Sequence, residues 1–77
     1  MIEVLEEHKA MLVEGFGSAL IGYTNGAKVV AVYDYQACVE ILMKADALSY
    51  EEALEWIEYN VVASHVGDAT PVFITLA

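Results

Sequence analysis

The stretch Ser18-Ala19-Leu20-Ile21-Gly22-Tyr23-Thr24-Asn25-Gly26-Ala27-Lys28-Val29-Val30-Ala31-Val32-Tyr33 decides how the rest of the chain must fold. Two apolar runs, Ser18–Thr24 and Ala27–Tyr33, flank Asn25-Gly26, the pair that most readily takes positive φ at both central positions of a type I′ turn. A two-residue turn there sets Tyr23 opposite Lys28, Ile21 opposite Val30 and Ala19 opposite Val32. One face of the hairpin then carries Ala19, Ile21, Val30 and Val32, and the other Leu20, Val29, Ala31 and Tyr33. A sheet wetted on one side alternates apolar with polar residues, and this hairpin does not. Both of its faces call for cover.

Outward from the hairpin, the periodicity is helical. Upstream, Val4, Leu5, His8, Met11 and Leu12 share a stripe, predicting a helix from Ile2 to about Glu14 that stops at Gly15-Phe16-Gly17. Downstream, Asp34 reads as the N-cap of a helix over Tyr35–Ala45. Its inner stripe is Cys38, Ile41, Leu42 and Ala45, with Val39 and Met43 as extra apolar surface and Glu40–Lys44 as an outer pair. Ser49-Tyr50-Glu51-Glu52 is a capping box that opens a third helix reaching about Ser64. At ~100° per residue, Ala53, Leu54, Ile57, Val61 and Ser64 face inward. Glu51, Glu55 and Glu58 face outward, flanked by Glu52 and Tyr59. After Gly67 and Pro71, Val72–Leu76 reads as a closing strand. The expected fold is one α+β domain over residues 1–77, ordered α-β-β-α-α-β, with three helices packed on a small antiparallel sheet made by the hairpin and the last strand.

Composition narrows the function. Twelve Asp and Glu against three Lys and Arg give a net charge of −9, which excludes direct binding to nucleic-acid phosphates and disfavours an anionic membrane surface. With 58% hydrophobic and 19% charged residues, the chain is far from a disordered composition. Its single cysteine allows no internal disulfide and suits a reducing cytoplasm. The acidic start is unlike a signal peptide, and no apolar run approaches a membrane span, so the expected location is the cytoplasm. A chain of this length buries only ~60–65% of its unfolded surface, and so needs further burial from somewhere.

The residue pattern offers little chemistry. His8, His65 and Cys38 lie on different predicted elements and lack metal-ligand spacing, so no metal or cofactor is expected. His8 reads as a partly buried structural histidine and His65 as a helix-end residue. Cys38 has a helix N-terminus nearby but almost no cations, and it lies on the apolar stripe, so it reads as an inert core thiol. The glycines lack phosphate-loop spacing. The expectation is a protein that is not an enzyme.

Three features point to surfaces instead. The carboxylates Glu51, Glu55 and Glu58, with Asp46 and first-helix Glu3, Glu6 and Glu7 as further contributors, form an acidic face suited to a basic partner. The two-faced hairpin leaves apolar surplus that a second copy would cover, predicting a homodimer. Among the aromatic residues, Tyr33 and Trp56 read as structural anchors at the rim of the core, whereas Tyr59 or Tyr35, if exposed, are the better interface candidates. Asn60 should bond backbone within the core.

From Val32 onward the chain resembles a group of small proteins encoded by bacteriophages and prophages. The resemblance is carried by Val32-Tyr33-Asp34-Tyr35, Cys38, Glu40-Ile41-Leu42-Met43, Ser49-Tyr50-Glu51-Glu52-Ala53, Glu58-Tyr59-Asn60-Val61-Val62, Val66-Gly67 and Thr70-Pro71-Val72-Phe73. Ala47-Leu48 departs from that pattern, standing where a glycine would turn the chain between helices. The resemblance implies a phage accessory protein acting in the host cytoplasm, and it supplies no catalytic residues. Joined to the charge, it predicts a non-enzymatic inhibitor that presents Glu51, Glu55, Glu58 and Tyr59 to a basic groove of a host nucleic-acid-handling or CRISPR-like defence complex, in the manner of a nucleic-acid mimic. The alternative is a small homodimeric adaptor whose acidity only keeps it soluble.

Overall fold

The computed structural model describes residues 1–62 and 69–77, with backbone alone at 61 and 62. The chain runs through α1 (Ile2–Glu7), β1 (Leu20–Tyr23), β2 (Ala31–Asp34), α2 (Tyr35–Ala45), α3 (Tyr50–Ile57) and β3 (Val72–Ile74). A 3-10 turn at Gly17–Ala19 leads into β1, and a π-helical turn, Glu58–Val62, continues α3. The α+β class and the order α-β-β-α-α-β are those expected. The sheet, however, is mixed rather than antiparallel: in the order β1-β2-β3, β1 pairs antiparallel with β2 and β3 pairs parallel with it. The reason is topological. A parallel pair needs a long crossover connection, and the stretch containing α2 and α3 between β2 and β3 is long enough to supply one.

The hairpin differs from the two-residue turn. Leu20 lies opposite Tyr33, Gly22 opposite Val32 and Tyr23 opposite Ala31, with a bulge at Ile21. A wider loop replaces the type I′ turn, and Thr24 closes it. Its backbone N–H donates to the Val30 carbonyl at 3.0 Å. Its hydroxyl donates to the Lys28 carbonyl at 2.9 Å and accepts from the Val30 N–H at 3.0 Å. Gly26, at φ +111°, supplies the left-handed step inside the loop. The shifted register seats Tyr33 in the core with its ring stacked on Phe73 at 5.5 Å. Burial of a large ring outweighs the local turn preference.

The first helix is shorter than its apolar period suggests, ending at Glu7 rather than near Glu14. His8 caps it and is exposed, not partly buried. The stop is a Schellman closure: Lys9 takes φ +55°, its N–H donates to Glu6 O at 3.0 Å, and Ala10 N–H donates to Leu5 O at 2.9 Å. The following segment is pinned to the sheet, because Val13 N–H donates to the Tyr33 hydroxyl at 2.9 Å.

Helix α2 has the expected limits, and its Asp34 cap accepts from Ala37 N–H at 3.3 Å. Its buried stripe is Cys38, Val39 and Leu42, with Ile41 half-buried and Ala45 exposed. Val39 is therefore core rather than surplus. Ala47, between α2 and α3, takes φ +52°, the region glycine favours, at a cost of about 1 kcal/mol for a residue with a Cβ. Helix α3 opens with both halves of the expected capping box and buries Ala53 and Ile57. It gives way to the π-helical turn after Ile57, and the predicted inward positions Val61 and Ser64, with His65, lie outside the described side chains.

The core gathers Leu5, Phe16, Ala19, Ala31, Tyr33, Cys38, Val39, Leu42, Ala53 and Ile57 on one side of the sheet. Each large member contributes about 1.5–3 kcal/mol by leaving water.

Candidate acidic and aromatic interface

The outward side of α3 follows from its cap. Ser49 Oγ accepts from Glu52 N–H at 3.2 Å, while Glu52 Oε1 accepts from Ser49 N–H at 2.8 Å. These bonds fix the first turn and hold the Glu52 carboxyl below its ordinary range, chiefly through the Ser49 backbone N–H. With Ala53 and Ile57 locked inward, the helical period turns Glu51 and Glu55 to solvent, and both are exposed. The π-helical turn then carries Glu58 and Tyr59 outward, and Tyr59 is 83% exposed. Such single π turns interrupt the regular ladder and often mark functional sites.

Here the side chain of Asn60 donates to the Trp56 carbonyl at 3.0 Å. The expected backbone bond is thus present, but Asn60 is exposed rather than in the core. Glu58 serves a second purpose. Its Oε2 accepts from the Tyr35 hydroxyl at 3.1 Å, tying α3 to the start of α2. Partial burial, then this bond to a carboxylate, pushes the Tyr35 hydroxyl above its ordinary pKa. Tyr35 is half-buried, so it acts as a strut rather than as the exposed interface residue expected.

An open groove of about 770 Å³ runs along this surface. Leu48, Leu54, Trp56 and Tyr59 supply its apolar lining, and Glu52, Glu55 and Glu58 its carboxylates, together with Asn60. Of the four residues predicted as a site, Glu55, Glu58 and Tyr59 meet at the groove. Glu51 is exposed on the same helix but does not line it. Trp56, expected as an anchor at the rim of the core, rests edge-on against buried Phe16 at 6.5 Å and, being 40% exposed, also lines the groove. The sequence held no local signal for this, because consecutive helical residues lie ~100° apart and do not share a face.

Elsewhere the chemistry is sparse. Cys38 is fully buried, and burial together with the nearby Asp34 carboxylate pushes its thiol up to about 11, which keeps it protonated at neutral pH. Among the described residues, no three His, Cys, Asp or Glu side chains converge as a metal site. No buried side-chain nitrogen or oxygen among them lacks a hydrogen-bond partner. No helix among them is long and apolar enough to cross a membrane.

Compared with protein-family models, curated proteins and solved structures, the chain matches none.

Proposed function

We propose that the protein is a non-enzymatic binding module that docks its α3 face onto a basic, nucleic-acid-binding surface of another protein and blocks it. The observation that carries this reading is the groove in which Glu55 and Glu58 stand beside exposed Trp56 and Tyr59, on a chain of net charge −9. None of the three lysines lines it. Carboxylates spaced along a helix meet Lys and Arg side chains, while exposed aromatic rings add packing and cation–π attraction to the same cations. A partner surface built for phosphates offers that chemistry, so occupation and nucleic-acid binding would be mutually exclusive. The resemblance to phage-encoded proteins adds the setting: an accessory protein acting in a host cytoplasm on a nucleic-acid-handling or CRISPR-like defence complex.

The test is retention of host proteins on the immobilised chain, with nuclease-treated lysate and increasing salt. Nucleic-acid-binding proteins should be retained, and added DNA or RNA should release them. The Glu55→Lys/Tyr59→Ala double variant should lower their retention at least ~30-fold, as loss of central interface contacts does, with its circular dichroism unchanged. Equal retention by the variant refutes the reading. It would favour the competing one, a homodimeric adaptor whose acidity serves solubility alone.

A further inference from the structure

The groove along α3 is lined by three carboxylates, and two of them are already engaged. Glu52 closes the helix cap by accepting from the Ser49 N–H at 2.8 Å, and Glu58 accepts from the Tyr35 hydroxyl at 3.1 Å. Glu55 accepts no hydrogen bond and joins no ion pair among the described residues. It is exposed, and it stands one helical turn before Tyr59, whose ring is 83% exposed. Trp56 forms part of the wall, its indole backed edge-on by Phe16. Leu48 and Leu54 add apolar lining. Among the described residues the carboxylates do not converge as a metal-ion site, and rings and leucines offer a bare ion no ligands. One unengaged carboxylate beside an exposed ring and apolar lining suits a different cation: flat, weakly hydrated and carried on a hydrocarbon stem.

We propose that the groove selects arginine over lysine, seating one guanidinium of the partner with its edge on the Glu55 carboxylate and its face on the Tyr59 ring. The inference rests on the reading of α3 as a docking face for a basic surface, and adds which basic side chain fills it. A guanidinium presents its N–H donors in a rigid fork that meets both oxygens of a carboxylate at once, and its plane stacks on an aromatic face. The methylenes behind it suit the leucines and the indole of the lining. A lysine ammonium is a compact, strongly hydrated point charge. It meets Glu55 without the fork and gains less from the ring. Attraction to a chain of net charge −9 is common to both side chains, so the preference comes from the fork and the ring.

Binding of two blocked peptides, hexaarginine and hexalysine, to the full chain tests it, followed through the emission of Trp56, the chain's one tryptophan. At about 0.15 M salt, hexaarginine should bind at least about tenfold tighter than hexalysine. Glu55→Gln and Tyr59→Leu should each cut that preference to about threefold or less, whereas Glu7→Gln, which removes the same charge from α1, should leave it unchanged. All three positions are exposed, so circular dichroism should not change. On the unmutated chain, nuclear Overhauser contacts should join arginine side-chain protons to the Tyr59 ring, and they decide alone should a variant fail to fold. Equal affinity for the two peptides overturns the inference and leaves the basic-partner reading standing, since that reading needs only positive charge. A preference that persists in both groove variants, or contacts that fall outside the groove, overturns it as well. Binding of neither peptide overturns both. Arginine selectivity without retention of nucleic-acid-binding proteins from lysate would refute the proposed target and support the selectivity.

Discussion

The outer side of α3 and the outer side of the sheet both reach water, the second at Val72, yet they are made from opposite materials. The α3 side presents carboxylates and two aromatic rings around a groove. The sheet side presents Ile and Val with no free carboxylate. A chain that needed acidity only for solubility would gain most by spreading its charges over the apolar surface. Here they gather away from it. The two materials differ in reach: carboxylates act on cations across distances near the Debye length of about 8 Å, whereas apolar surface acts only on contact.

The most damaging way to probe the contrast is to cross the sheet. Tyr33→Ala empties the core and removes the acceptor for Val13 N–H, and should cost about 4 kcal/mol in urea unfolding, enough to unfold most of a domain this small. Its neighbour Val32 points the other way, and Val32→Ala should cost only about 1 kcal/mol at concentrations where the chain is monomeric. Similar costs at both positions would mean that the outer face is core after all. Salt offers a milder probe. Raising ionic strength from about 0.05 to about 0.5 M should weaken capture of a basic partner about tenfold or more in binding assays, because salt screens the carboxylates and not the apolar sheet side. The smallest effect is acid sensitivity at the root of α3. The folded Glu52 carboxyl lies below its ordinary value, so its contribution to stability is present above the ordinary carboxylate pKa and fades as pH falls through the folded one. Urea midpoints measured from about pH 6 to about pH 3 should fall less steeply for Glu52→Gln, whose amide keeps the cap without titrating.

What could be read from the sequence was what short-range chemistry dictates. Asp34 and Ala45 bound α2 because a cap and a helical period fix them locally, and the Ser49–Glu52 box is written in four consecutive residues. The exposure of Glu55 and Tyr59 follows from the same periodicity. Features that depend on distant partners were not legible. The stop at Glu7 uses a lysine in a conformation usually given to glycine. The hairpin register depends on where Tyr33 finds Phe73, forty residues further on. The parallel placement of β3, the burial of Val39 and the exposure of Trp56 arise from how the elements meet. Ala47 is an intermediate case: the missing glycine stood out in the sequence, and the backbone there takes the positive φ that a glycine would have relieved.

The bulge at Ile21 has a consequence for the chain's fate at high concentration. A mean hydropathy of +0.50 is high for a chain with open sheet edges, and a flat edge would invite strand after strand to add on, ending in fibrils. By kinking β1 within its four residues, the bulge spoils that template, and β3 is only three residues long. Growth along the hydrogen-bonding direction is thereby discouraged at both margins of the sheet.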